Sequence, residues 1–213
     1  MPTLETEVKF HLADPLDLRA RLLAIGARSL GRALELNIRF EDEGRSLLRA
    51  RSLLRLRRER KTTLTFKSVP LDADPAFKQL QELEVEVDDF DTMQRILISL
   101  GFRPEQTYEK WRETLVVDQT SFCLDCLPFG DFLEIEGSKE AILHFTGRLG
   151  LEWSRRILLN YLEIFDLIRS RHNLAFRDAT FGNFAGTPIP LQALLPLLET
   201  CAHQPSDGFN STP

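Results

Sequence analysis

The sequence predicts an α+β protein built on a β-barrel turned inside out. Charged residues would line its lumen, and helices would pack on its apolar exterior. Three observations predict this. Several segments alternate apolar and charged residues with period 2, the signature of strands. Between them lie stretches with apolar residues three and four apart, the signature of amphipathic helices. The charged strand positions come in like-signed pairs of Glu, Arg or Lys. A solvated sheet face more often mixes in Ser, Thr, Gln and Asn. For any single strand an ordinary sheet with one wet face is the simpler account. The pairs, and the need of the helices for an apolar surface to pack on, favour the charged lumen.

In chain order, Leu4 to Phe10 sets Glu5, Glu7 and Lys9 opposite Leu4, Thr6, Val8 and Phe10. Asp14-Pro15 then suits a cap and first turn, and Leu16 to Ile25 reads as a helix. Leu53 to Arg57 sets Arg55 and Arg57 against Leu54 and Leu56, and Thr62 to Lys67 sets Thr63, Thr65 and Lys67 against Leu64 and Phe66. Glu82 to Val87 opposes Glu82, Glu84 and Glu86 to Leu83, Val85 and Val87. Phe90 to Leu100 reads as a helix. Lys110 and Arg112 flank Trp111, which is expected in the core or under a helix. Phe132 to Glu136 sets Glu134 and Glu136 against Leu133 and Ile135. Ala141 to Leu149 and Ile157 to Ile168 read as helices. Gly26, Gly101 and Gly150 fall where helix C-caps belong. A weak repeat underlies this order: a strand with paired glutamates, a helix, then an apolar residue followed by glycine. It occurs from Leu4, from Leu83 and from Leu133.

The first domain is expected to span residues 1–178. Residues 179–213 are rich in Gly and Pro and read as an appendage whose last ten residues are disordered. The chain has 213 residues, 43% hydrophobic and 28% charged, which argues against wholesale disorder, collagen-like repeats and disulfide scaffolds. A net charge of -5 does not favour nucleic acid as a partner. No apolar run reaches the roughly 18 residues of a spanning helix, and the N-terminus lacks a signal-peptide core. With three cysteines, the expectation is a cytoplasmic protein with no membrane partner. Cys123 and Cys126 would point to opposite faces of a strand, which argues against a zinc site.

A lumen of this kind must be wet and charge-compensated, because an unpaired buried charge costs several kcal/mol. A polyanion suits the Arg and Lys rows, since Arg binds phosphate in a bidentate manner and Lys acts as a point charge. Divalent cations suit the Glu rows. Both requirements meet in a metal-bound triphosphate.

The motifs resemble one family. Glu5-x-Glu7-x-Lys9 resembles the ExExK signature of the CYTH, or triphosphate tunnel metalloenzyme, superfamily. In order there follow Asn37-Ile38-Arg39-Phe40-Glu41, with Glu41 where Asp is usual; Leu54-Arg55-Leu56-Arg57, similar to LRxR; and Thr65-Phe66-Lys67, similar to TxK. Next come Glu82-Leu83-Glu84-Val85-Glu86, a central acidic strand, and Lys110-Trp111-Arg112, similar to KxR. Last are Leu124-Asp125 and Phe129 to Glu136, similar to LD…LGxFxEIE with Phe129 in place of Leu. The resemblance covers about residues 3 to 170. It implies an eight-stranded antiparallel tunnel with helices outside, and a metal-dependent enzyme acting on a triphosphate-containing small molecule.

By that resemblance Arg55, Arg57, Lys67, Lys110 and Arg112 hold the phosphates and Lys9 sits near the scissile phosphoryl group. Glu5, Glu7, Glu134 and Glu136, with Glu82, Glu84 and Glu86 on the central acidic strand, bind Mg²⁺ or Mn²⁺. Asp125 orients a water or neutralises an arginine. Arg58, Arg60 and Lys61 face solvent or a turn. The implied reaction is hydrolysis of inorganic tripolyphosphate or of a triphosphorylated organic compound to orthophosphate and a diphosphate. The alternatives are a class IV adenylyl cyclase, forming cyclic AMP and pyrophosphate from ATP, and a non-catalytic triphosphate-binding module. A homodimer is compatible with each.

Overall fold

The computed structural model describes residues 3–187 and 189–200. The expectation of disorder for residues 204–213 lies outside the described residues. Eight strands, all paired antiparallel, close into one ring. They are β1 (Thr3–Leu12), β2 (Arg28–Glu41), β3 (Ser52–Arg58), β4 (Thr62–Ser68), β5 (Lys78–Val87), β6 (Arg103–Val117), β7 (Thr120–Leu127) and β8 (Gly130–Glu136). Around the ring the order is β1-β5-β4-β3-β2-β6-β7-β8. β1 closes it by pairing at its start with β5, Thr3 opposite Glu82, and further on with β8, Lys9 opposite Glu134. Register shifts interrupt the long β2–β6 pairing at Ser29/Gly31 and Arg39/Phe40, the kind of irregularity that bends a strand around a barrel.

The glutamate-strand-to-helix repeat is a structural repeat. β1 leads into α1 (Pro15–Ala24), β5 into α3 (Phe90–Ser99) and β8 into α4 (Lys139–Arg148), while the short α2 (Ser46–Arg49) lies between β2 and β3. Each repeat helix starts on a polar cap. Asp14 accepts from the backbone N–H of Leu16 and Asp17, Asp89 from that of Thr92, and Ser138 from that of Ala141. Gly26, Gly101 and Gly150 follow the helix ends with φ of +93°, +93° and +63°, a backbone conformation that favours glycine.

The apolar strand faces look outward and are covered by these helices. Val8, Phe10, Leu124, Leu133 and Ile135 pack with Leu18 and Leu22 of α1 and Ile142 and Phe145 of α4. Ile38, Phe40, Leu54 and Leu56 pack with Phe90 and Leu97 of α3. The cover is incomplete on β5, where Leu83 and Val85 on the outer face remain 53% and 55% exposed. Trp111 also departs from expectation. It is 39% exposed on the outer face, beside the Arg32 guanidinium, rather than in the core.

The last predicted helix, Ile157 to Ile168, is displaced. α5 spans Tyr161–His172. Asn160 makes a capping box with Glu163, which fixes the start. Ile157 is extended and exchanges backbone hydrogen bonds with Lys9, at 2.7 and 3.2 Å. β5 ends its pairing with β1 at Glu7, so the edge of β1 is free there to receive Ile157. α5 closes one end of the tunnel. Its Tyr161, Ile164, Phe165 and Ile168 pack with Tyr108, Leu127, Phe129 and Phe132 of the barrel and with Phe184, Leu191, Leu194 and Leu198 from the segment that ends in α6 (Leu195–Thr200).

Candidate active site

Period-2 geometry sends Glu5, Glu7 and Lys9 inward from β1, because Val8 and Phe10 are held outward by the helices. The same logic turns Arg55 and Arg57, Thr65 and Lys67, Lys110 and Arg112, Asp125, and Glu134 and Glu136 into the lumen. The sequence-predicted residues are thus brought together inside one closed sheet. Glu82, Glu84 and Glu86 share that face but are less buried, and each meets a cation. Glu82 lies 3.4 Å from Lys67, Glu84 3.4 Å from Arg57, and Glu86 2.6 Å from Lys61. Lys61 and Arg60 stand in the β3–β4 turn, while the Arg58 guanidinium lies outside over the Phe90 ring.

At the closed end the charges form a dense network. Asp125 accepts from Lys110 Nζ at 3.0 Å, Arg112 Nε at 2.6 Å and the Tyr161 hydroxyl at 2.7 Å, and also from a second nitrogen of Arg112. Lys9, 1% exposed, donates to Glu134 at 2.6 Å, and Arg112 also reaches Glu134. Burial would raise the Glu134 carboxyl, but Lys9, Arg112, Lys110 and Lys78 hold it well below the usual carboxylate range. Burial and Arg112 oppose charge on Lys110, and Asp125, Glu35 and Glu134 outweigh both.

Several residues of the site carry no role in the sequence reading. Glu35 is buried within 3.6 to 3.8 Å of Lys110, Arg57 and Arg112. Against the cost of burial, these cations lower its carboxyl to about 2. Lys78 donates to Glu7 at 2.6 Å. Arg39 lies directly opposite Arg55 across β2 and β3, and the Nε atoms of both are buried without a hydrogen-bond partner among the described residues. Glu35 and Arg39 share the period-2 face of Asn37 and Glu41, which is the signal that could have found them. Glu41 itself caps α2, accepting from the backbone N–H of Leu47 and Leu48.

Toward the other end the carboxylates crowd. Glu7 pairs across strands with Glu136. Burial and the neighbouring Glu5 and Glu7 push the Glu136 carboxyl up to about 7. Burial and Glu7 raise Glu5 as well, although Lys67 donates to it. Oxygen donors crowded beyond what nearby lysines neutralise suit a hard divalent cation. As the side chains stand, no three acidic, His or Cys groups among the described residues are arranged to hold a metal ion, since Lys67 and Lys78 engage Glu5 and Glu7. The mouth is a cleft of about 440 Å³ with Arg57, Arg60, Lys61, Glu84 and Glu86 in its wall and no aromatic side chain. Cys123 and Cys126 are free thiols, and burial pushes Cys123 up to about 12.

Comparison with known proteins agrees with this architecture. The PH1012 protein of Pyrococcus horikoshii OT3 is 26% identical, with a TM-score of 0.65 over 75% of this chain and 98% of that one. A Vibrio parahaemolyticus protein named as a candidate adenylate cyclase is 19% identical, with a TM-score of 0.69 over 78% and 99%. A Hippeastrum protein, named as a candidate adenylyl cyclase and described as having a dominant triphosphatase activity, is 19% identical with a TM-score of 0.58 over 78% and 96%. No curated protein matches the chain significantly. Residues 3–159, from β1 to the segment that pairs with Lys9, match the CYTH domain. With the ordered motifs all inside one eight-stranded ring, the chain belongs to the CYTH domain family.

Proposed function

We propose that this protein hydrolyses the terminal phosphoryl group of a triphosphate, either inorganic tripolyphosphate or the end of a triphosphorylated organic compound. The observation that carries the reading is the Arg39–Arg55 pair. Like charges directly opposite each other across strands repel, and both guanidinium groups keep a buried Nε–H unused. A phosphate chain between them would supply the missing acceptors and negative charge. Arg57 and Lys67 extend the basic wall beside them, and Lys110 and Arg112 extend it toward the closed end.

A chain entering through the mouth would meet the closed end with its terminal phosphate, where Lys9 and Lys110 supply positive charge. These fixed cations are already in place when charge shifts onto the leaving diphosphate, so little reorganisation is needed at the moment of reaction. Glu5, Glu7, Glu134 and Glu136 are the residues that would hold Mg²⁺ or Mn²⁺. A divalent ion held by them would supply further charge neutralisation and would make a bound water more acidic. The polar mouth favours hydrolysis over cyclisation, because cyclisation needs a grip on the nucleoside. A protein of the same fold, from Hippeastrum, is described as dominated by triphosphatase activity.

The test is incubation of the purified protein with tripolyphosphate or ATP and Mg²⁺ or Mn²⁺, with products resolved by anion exchange. Orthophosphate and a diphosphate are expected, and EDTA should abolish their formation. Cyclic AMP and pyrophosphate as main products would overturn the reading in favour of a cyclase. Tight binding with no turnover would leave a binding module.

A further inference from the structure

Tyr161 is the first residue of α5 and enters the closed end from outside the barrel. It lies beyond residues 3–159, the part of the chain matched to the family. Its ring faces two cations, with the Lys9 ammonium 4.2 Å from the ring centroid and the Lys110 ammonium 5.0 Å away. Its hydroxyl donates to Asp125 at 2.7 Å, the same carboxylate oxygen that accepts from Lys110. Its position is fixed from behind by the Asn160 capping box and the Ile157–Lys9 backbone pairing. Phe132 packs edge-on against the ring at 5.4 Å.

The Lys9 and Lys110 ammonium groups are both buried and repel each other. The electron-rich face of an aromatic ring offsets that repulsion, and does so most strongly where water is excluded. Asp125 and Glu134 bind the lysines by charge from the strand side, and Tyr161 confines them from the opposite side. We propose that Tyr161 is a positioning residue: its ring holds the Lys9 and Lys110 ammonium groups at the closed end, where the terminal phosphate of the substrate would be received. The inference rests on the triphosphate reading above, but concerns a residue that reading does not use.

The test replaces Tyr161 by Phe and then by mono-, di- and trifluorinated phenylalanine, which nearly keep ring size while draining the negative face. Tyr161→Phe loses one hydrogen bond to Asp125, which Lys110 and Arg112 still bind, and is the reference for the series. Successive fluorination should then lower kcat/KM stepwise, by roughly 10- to 100-fold over the series, the scale expected for cation–π loss and displaced binding groups. Thermal melts should stay nearly constant across the series. A role in packing alone would not follow the fluorine count, so a flat kcat/KM series overturns the proposal.

NMR gives a readout independent of turnover. In the wild-type protein the ε-methylene protons of Lys9 and Lys110 should be shifted upfield by the ring current, and Tyr161→Leu should abolish the shift. Unshifted lysines in the wild type overturn the proposal without any variant. If the wild type hydrolyses no triphosphate, the reaction reading fails, and the lysine resonances still decide whether the ring holds them.

Discussion

At the closed end of the tunnel each carboxylate lies among several cations. Asp125 is bound by Lys110, Arg112 and Tyr161, and Glu35 lies among Lys110, Arg112 and Arg57. Toward the mouth the balance reverses. Glu136 faces Glu7 and lies near Glu5, and its carboxyl is pushed up to about 7 by burial and these like charges. The two ends are built from the same residue types on the same strand faces. At the closed end the carboxylates are satisfied by the protein's own groups. In the carboxylate cluster Lys67 and Lys78 bind Glu5 and Glu7, and Glu136 is left among like charges. The Arg39–Arg55 pair is its mirror image, two like cations facing each other across β2 and β3.

The contrast breaks most readily at the closed end. Asp125→Ala leaves Lys110, Arg112 and the Tyr161 hydroxyl without their shared acceptor. Removing one partner from a buried charge network costs about 3–5 kcal/mol. For a chain of this size the melting temperature should fall by on the order of 10 °C. A drop below about 2 °C would mean that the network contributes little to stability.

Glu35 tests the same end through pH. Against the cost of burial, Lys110, Arg112, Arg57 and Arg55 lower its carboxyl from 4.5 to about 2. The unfolded chain therefore binds the proton more readily, and the stabilisation is complete above the ordinary carboxylate value. It is lost as pH falls from about 4.5 toward 2. Glu35→Gln should cost about 2–4 kcal/mol at neutral pH, measured by denaturant unfolding. The gap between variant and wild type should close by the acid end of that window. A gap that is independent of pH would point to packing instead of charge.

Glu136→Gln should behave in the opposite sense. A carboxyl raised in the folded state makes stability fall as pH rises between 4.5 and about 7. The variant should thus melt about 2–4 °C higher at pH near 8, with no gain at acid pH, while metal-dependent turnover drops. A variant that melts lower and keeps its turnover would contradict the contrast between the two ends. The smallest effect belongs to the Lys61–Glu86 pair at the rim, 2.6 Å apart with both side chains more than half exposed. Lys61→Ala should change stability by no more than about 0.5 kcal/mol.

Much of this was legible before folding. The alternation in β1, β3, β4, β5 and β8 predicts their inner faces because side-chain direction along a strand is a local property with period 2. The helix starts at Asp14 and the glycine ends were legible for the same reason. Boundaries set by long-range contacts were not. The run from Ile157 reads as helix by spacing, yet Ile157 is drawn into extended pairing by the edge of β1 that β5 leaves free. Trp111 reads as core, yet period 2 places it on an outer face beside the Arg32 guanidinium.

The sequence by itself determined the inner faces of β1, β3, β4, β5 and β8, their charge and the ordered motifs, since each follows from neighbours a few residues apart. The tertiary structure alone decided which charge meets which. Glu35 sits beneath Lys110 and Arg112 because β2 and β6 pair in one register, with Glu35 opposite Lys110. Arg39 faces Arg55 because β2 and β3 pair in another. Tyr161 reaches Lys9 and Lys110 because a helix outside the ring turns back over its end. Register and closure bring together residues up to 152 positions apart, as with Lys9 and Tyr161, and no local pattern records such a distance.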